Sequence, residues 1–99
     1  MKSTDAVLEA LRRTVPVLSE KYHVKKIGVF GSYIRNEQKE NSDLDVLVDL
    51  EPEPGFGLLT FIEMENFLSD EVGVKVDLVM KEGLKPRIGR RILEEVVYL

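Results

Sequence analysis

Cysteine is absent from the 99 residues and histidine occurs once. The first absence excludes a disulfide framework and any thiol chemistry. No apolar run approaches the ~20 residues of a membrane span, and the first residues lack the apolar centre of a signal peptide. The expectation is a cytoplasmic protein with no membrane segment. Positive charge is the scarcer sign: 14 Lys and Arg stand against 18 Asp and Glu, for a net charge of −4. That balance argues against nonspecific nucleic-acid binding over the whole surface. Internal repeats and low-complexity segments are missing too. The length suggests one small domain spanning residues 1–99, with one modest core and no second lobe. The lone histidine, His23, stands at the end of a helical pattern, where a structural role is the simpler reading.

What is present is concentrated between Phe30 and Val48. The apolar run Ile27-Gly28-Val29-Phe30 reads as the end of a short buried strand. Gly31 and Ser32 follow at once, then a polar segment and a charged loop. A second strand opens with Ser42-Asp43-Leu44-Asp45 and continues Val46-Leu47-Val48. Strand side chains alternate between faces, so Asp43 and Asp45 share one side while Leu44, Val46 and Val48 share the other. Two neighbouring carboxylates resist ionising together, and such a pair suits a hard divalent cation such as Mg²⁺. The plainer alternative is a solvated strand start with Asp43 as a turn residue. Gly31 permits close backbone approach to a ligand. Ser32 stands where a short helix through about Glu37 would begin, and a helix N-terminus favours phosphate; Ser32 could equally be only its cap. Arg35, one turn on, could reach a phosphate or a structural carboxylate.

Elsewhere, Val7, Leu8, Leu11, Val15, Leu18 and Tyr22 recur at helical spacing over residues 4–22, with Ser3 or Thr4 as cap. Pro16 predicts a kink or break near Thr14. Strand one is expected over 25–30. Asp49, Glu51, Pro52, Glu53, Pro54, Gly55 and Gly57 read as a loop carrying a solvated acidic run. Leu58 to about Glu71 reads as a helix with apolar residues Leu58, Phe61, Ile62, Met64, Phe67 and Leu68, ended by Gly73. Strand three is expected over 74–80, with Asp77 charged within an otherwise apolar central strand. Charged residues are seldom buried without a partner, so Asp77 beside strand two would join Asp43 and Asp45. Pro86 fits the first turn of a last helix to about Val96. Its Arg87, Arg90 and Arg91 form either a solvated face or a docking face for an acidic partner or a nucleic-acid acceptor. Val96-Val97-Tyr98-Leu99 ends as a packed tail or a short edge strand. The fold class that follows is α/β (α+β), a small mixed sheet of three or more strands packed on helices.

Gly31-Ser32, ten intervening residues and Asp43-x-Asp45 resemble the signature of the polymerase-beta-type nucleotidyltransferase superfamily. The local form, Phe30-Gly31-Ser32-Tyr33-Ile34-Arg35 with Ser42-Asp43-Leu44-Asp45-Val46-Leu47-Val48, is similar to its smallest members, the minimal nucleotidyltransferases. The likeness runs from Val24 to about Val79, and the C-terminal stretch is also similar. One departure is Asn36, where these proteins usually carry Gly; Asn tolerates positive φ better than most residues. The resemblance implies a polymerase-beta-like core with Asp43, Asp45 and Asp77 as catalytic and metal-binding residues, and two Mg²⁺ ions as in two-metal phosphoryl transfer. It implies nucleotide binding by Gly31, Ser32, Arg35 and Ser42, with ATP as the donor substrate. Asp77 would help deprotonate the acceptor hydroxyl.

The resemblance also supplies a partner. Minimal nucleotidyltransferases pair with small HEPN-domain toxins, act as their antitoxins and adenylylate a tyrosine on them. The expected function is therefore transfer of a nucleoside monophosphate, AMP from ATP, to a hydroxyl of such a partner. The alternative is a non-catalytic binding module that neutralises a partner by docking. The presence of Gly31, Ser32, Asp43, Asp45 and Asp77 together weighs against a decayed site. A nucleotide-dependent DNA-binding regulator is disfavoured by the acidic balance.

Overall fold

Ser3 begins the first helix by accepting the Ala6 N–H on its side chain, and α1 then runs Thr4–Tyr22. The computed structural model describes residues 3–52 and 56–99. The apolar positions that set the helical spacing become one buried stripe: Val7, Leu11, Leu18 and Tyr22. Pro16 does not break the helix, contrary to expectation; α1 is continuous through it. Pro16 lies on the exposed side, and Thr14 on the buried side turns its hydroxyl back onto the Leu11 carbonyl at 2.6 Å. Packing of the long apolar stripe outweighs one missing hydrogen bond. His23 caps the helix in the left-handed region at φ 58°, the structural role expected of it.

The remaining elements are β1 (Val24–Phe30), β2 (Leu44–Leu50), α2 (Leu58–Val72), β3 (Val76–Met80), α3 (Pro86–Glu95) and β4 (Val97–Tyr98). The sheet is four-stranded in the order β3-β2-β1-β4. β2 and β4 flank β1 antiparallel, and β3 runs parallel to β2. This is the expected mixed sheet. β2 extends two residues past Val48, so Asp49 belongs to the strand rather than to the loop after it. There it lies 3.8 Å from the Lys81 ammonium. β3 begins later than expected; Val74 and Lys75 lead into it, and the Lys75 carbonyl accepts the Leu44 N–H. The C-terminal residues form the edge strand β4. Of the loop residues 49–57, Glu53, Pro54 and Gly55 fall outside the described residues.

Register sorts the side chains into two faces. Ile27, Val29, Leu44, Val46, Val48, Val76 and Leu78 join α1 and α2 in one core with Met64, Leu68 and Val72. The expected apolar face of α2 is only partly used: Leu58 is 73% exposed and Ile62 41%. On the other face, Phe30, Asp45 and Asp77 stand in one row across β1, β2 and β3. Gly28 and Leu47 form the next row, continued by Tyr98 on β4 and Val79 on β3. A Cβ at Gly28 would collide with Val96 and Tyr98, so this glycine lets the chain end close over the second face.

The free edge of β3 is covered by side chains of α2. The Val76 N–H donates to Ser69 Oγ and the Leu78 N–H to Glu65 Oε2, both at 2.9 Å. Two backbone donors that would otherwise invite another strand are thereby satisfied. Asp77, the residue between them, is held in register with Asp45 as a result. No helix among the described residues is long and apolar enough to cross a membrane.

Candidate active site

At the end of β1 the chain leaves the sheet through Gly31, whose φ is +82°. That conformation is costly for any residue with a Cβ. The space is closed as well: a Cβ here would run into the Asp45 carboxylate. The close approach that glycine allows is thus to the chain's own carboxylate. We expect Gly31→Ala to lower stability by roughly 1–3 kcal/mol from strained backbone and displaced Asp45. Thermal melts of the two proteins test this, and melting temperatures within a degree of each other would mean that Asp45 yields freely.

The short helix expected from Ser32 does not form. Residues 32–36 make overlapping turns, with the Ile34 and Arg35 N–H groups both on the Gly31 carbonyl and the Glu37 N–H on the Ser32 carbonyl at 2.8 Å. The run is too short to be a helix, and a helix dipole therefore plays no part at Ser32. Tyr33 fixes the turn instead: it is 2% exposed and part of the core, and its carbonyl accepts the Thr4 hydroxyl. Asn36 takes φ 58°, so the left-handed position survives without glycine. Ser32 is left half-buried in this turn.

Ser42 closes the loop that delivers Asp43. Its Oγ accepts the Lys39 N–H at 2.8 Å, and its own N–H donates to the Lys39 carbonyl. Asp43 is half-buried just before β2, Asp45 is half-buried one residue into it, and Asp77 is exposed on β3. The Asp45 carboxyl is pushed up from 3.8 to about 6, first by burial and then by the negative charges of Asp77 and Asp43, with Arg35 pulling the other way. The sequence-predicted carboxylates are therefore close enough to feel one another. They do not converge on a single point: no group of three His, Cys, Asp or Glu among the described residues is already arranged around a metal position. Hard oxygen donors crowded until one resists ionisation nevertheless fit a divalent cation, which would relieve that repulsion.

Arg35 pairs with carboxylates. Its Nη1 donates to Glu95 Oε1 at 2.6 Å and its Nε to Glu37 Oε2 at 3.1 Å. The other Glu95 oxygen accepts the Gly31 N–H at 3.0 Å. Burial works to raise the Glu95 carboxyl, but the Gly31 N–H and the Arg35 guanidinium outweigh it and hold it below the ordinary range. Sequence reasoning missed Glu95, because nothing in the spacing of the last helix tells one acidic residue from its neighbour Glu94. A cavity of about 380 Å³ opens here, lined by Phe30, Gly31, Asp45, Ile88, Arg91 and Ile92, with Arg35 and Glu95. Arg91 of the expected basic run faces this cavity, and together with Pro86, Arg87 and Arg90 it also lines a second one.

The chain matches the nucleotidyltransferase domain family over residues 11–99. It is 46% identical over 99 residues to the protein adenylyltransferase MntA of Thermococcus cleftensis, covering 100% of this chain and 95% of that protein. A solved structure assigned as a minimal nucleotidyltransferase matches at a TM-score of 0.80 and 36% identity, over 99% of this chain and 97% of the other. A chain from a toxin–antitoxin crystal structure with AMP-PNP matches at a TM-score of 0.70 and 21% identity, over 98% of this chain and 72% of that one. The last is a likeness of fold alone.

Proposed function

This chain belongs to the nucleotidyltransferase family, and we propose that it is a protein adenylyltransferase acting in the cytoplasm as the antitoxin of a toxin pair. In this reading it moves AMP from ATP to a hydroxyl of a HEPN-domain toxin. The observation that carries the proposal is the row of Asp45 and Asp77 across β2 and β3, with Asp43 just before it and the Gly31 turn pressed against Asp45. The substantial identity to MntA supports the choice of a protein as acceptor, and the toxin–antitoxin fold-mate with AMP-PNP gives the donor its precedent.

Asp43, Asp45 and Asp77 are the residues that would hold magnesium, two Mg²⁺ ions by the family resemblance. When bound, such ions supply Lewis-acid charge that activates a hydroxyl and neutralises a triphosphate. The chain's own groups do the rest. The Gly31–Arg35 turn, Ser32 and Arg35 take the phosphates. Ser42 is tied into its loop through Oγ as an acceptor, yet a hydroxyl can donate at the same time, so its O–H is able to meet a phosphate oxygen. Asp77, the most open of the three carboxylates, takes the proton from the acceptor hydroxyl. The acceptor oxygen bonds to the α-phosphorus, the bond from that phosphorus to the α–β bridging oxygen breaks, and pyrophosphate leaves.

The exposed Leu58, Leu59 and Ile62 at the start of α2 favour one other reading, neutralisation of the partner by docking alone. A titration separates the two. With ATP and Mg²⁺ present, a small amount of the enzyme should silence a molar excess of toxin, and mass spectrometry should show the toxin heavier by whole AMP units. An equimolar endpoint indifferent to ATP would replace the enzyme with the binding module.

A further inference from the structure

We propose that Glu95 is a built-in occupant of the phosphate site, a self-ligand that the triphosphate must displace before the nucleotide can seat. The inference rests on the assignment of the Gly31 turn and Arg35 to phosphate binding. Its basis is what the Glu95 carboxylate touches. One oxygen takes the Gly31 backbone N–H at 3.0 Å and the other takes the Arg35 guanidinium at 2.6 Å. A backbone donor at a tight glycine turn paired with a guanidinium N–H is a donor set for an anionic oxygen pair, and a phosphate presents the same pair. The carboxylate is kept ionised by these partners, so it competes as an anion. Arg91 lines the same cavity and adds a second cation beside the notch.

The geometry also says how the exchange occurs. Glu95 is the last residue of α3, and β4 follows almost at once, pinned to β1 by the pairs Gly28–Tyr98 and Val29–Val97 and by the Leu99 N–H on the Ile27 carbonyl. The backbone at Glu95 is therefore anchored, and the carboxylate leaves by rotating its side chain. Its side chain is only a quarter exposed, and the cavity beside it receives the displaced group. Arg35 does not lose its orientation meanwhile, because Glu37 still accepts from Nε. A nucleotide's apparent affinity is reduced by the fraction of molecules whose site is open, so this latch weakens binding of any triphosphate and leaves a free site covered.

The test is titration of the whole protein with magnesium tripolyphosphate, magnesium ATP and adenosine, each followed calorimetrically. Glu95→Gln keeps the shape and an acceptor for Gly31 but loses the charge that holds Arg35. It should bind tripolyphosphate and ATP about tenfold more tightly, with adenosine unaffected. Glu95→Ala should tighten the same two ligands, and a melt of each variant shows that it is folded. Arg35→Gln should weaken both phosphate ligands. If Glu95→Gln and Glu95→Ala both bind tripolyphosphate no better than the natural protein, or worse, Glu95 is a positioning residue for Arg35 and the latch is wrong. Failure of the adenylyltransferase reading would look different: tighter tripolyphosphate binding would remain, with no AMP appearing on any protein.

Discussion

Substituting Asp43→Asn and Asp45→Asn together should reduce nucleotide transfer by roughly 10³-fold or more while the fold persists. Asp45 belongs to the face of the sheet that the main core does not use, and Asp43 stands half-buried just before β2; that core takes Leu44, Val46 and Val48 instead. Removing both charges therefore costs no packed apolar surface. It does remove the anionic pair that would hold divalent cations, whose charge stabilisation of a phosphoryl-transfer transition state amounts to several kcal/mol. Loss of an entire cation site cannot be offset by Asp77 alone, since it is exposed and stands on a neighbouring strand. The measurement is the rate at which a co-purified partner gains AMP, with circular dichroism to show that helix and sheet are intact. A folded double variant that still modifies its partner at the natural rate would remove both carboxylates from the chemistry.

The elements that set this row of carboxylates were legible because each has a strong local pattern. The 3.6-residue stripe of α1, the alternation Leu44-Asp45-Val46 and the Gly73 cap of α2 are all decided within a few residues of chain. Asp77 does stand beside Asp45, but not for the expected reason: β3 is an edge strand rather than a central one and Asp77 is exposed, where a charge needs no buried partner. Where expectation failed, a tertiary contact had overruled the local signal. Pro16 should interrupt a helix, but the buried stripe on the far side of α1 keeps it whole. The turn after Gly31 should continue as a helix, but Tyr33 is drawn into the core and Asn36 turns left-handed. Leu58 and Ile62 fit a core stripe, yet they stay exposed while Met64, Leu68 and Val72 supply the α2 side of the core. The residues that brace the site were invisible in the sequence. Glu65 and Ser69 satisfy the edge of β3, and Glu95 spans Gly31 and Arg35 from 60 or more residues away in the chain. No spacing rule connects such partners, because the fold alone brings them together.

Electrostatic crowding predicts a stability effect that needs no partner protein. Burial and the charges of Asp77 and Asp43 raise the Asp45 carboxyl from 3.8 to about 6. A carboxyl raised in the folded state is one that folding prefers protonated. Its contribution to stability is fully present below the unfolded value near 4 and is lost as pH rises through about 6. At pH 8 in chelator the natural protein therefore carries the whole ionisation cost. That cost is at most roughly 3 kcal/mol, and roughly 1–2 kcal/mol once solvent screening at a half-open site is allowed for. Asp45→Asn removes it. For a domain of this size, where 1 kcal/mol corresponds to ~4–8 °C, that variant should melt about 5–10 °C above the natural protein in chelator at pH 8. The advantage should shrink to nothing by pH 4. Asp77→Asn removes one of the charges acting on Asp45 and should give a smaller rise of the same sign. Magnesium ATP should reverse the order, because a ligand bound only by the folded state adds ~2.7 kcal/mol at a hundredfold excess over its Kd. The natural protein should gain several degrees, and both variants should lose most of that gain. Melts of the three proteins at pH 4 and pH 8, in chelator and in magnesium ATP, read all of this directly. If Asp45→Asn melts below the natural protein in chelator at pH 8 and still gains fully from magnesium ATP, then Asp45 serves the fold, and its contact with Gly31 is the reason it is there.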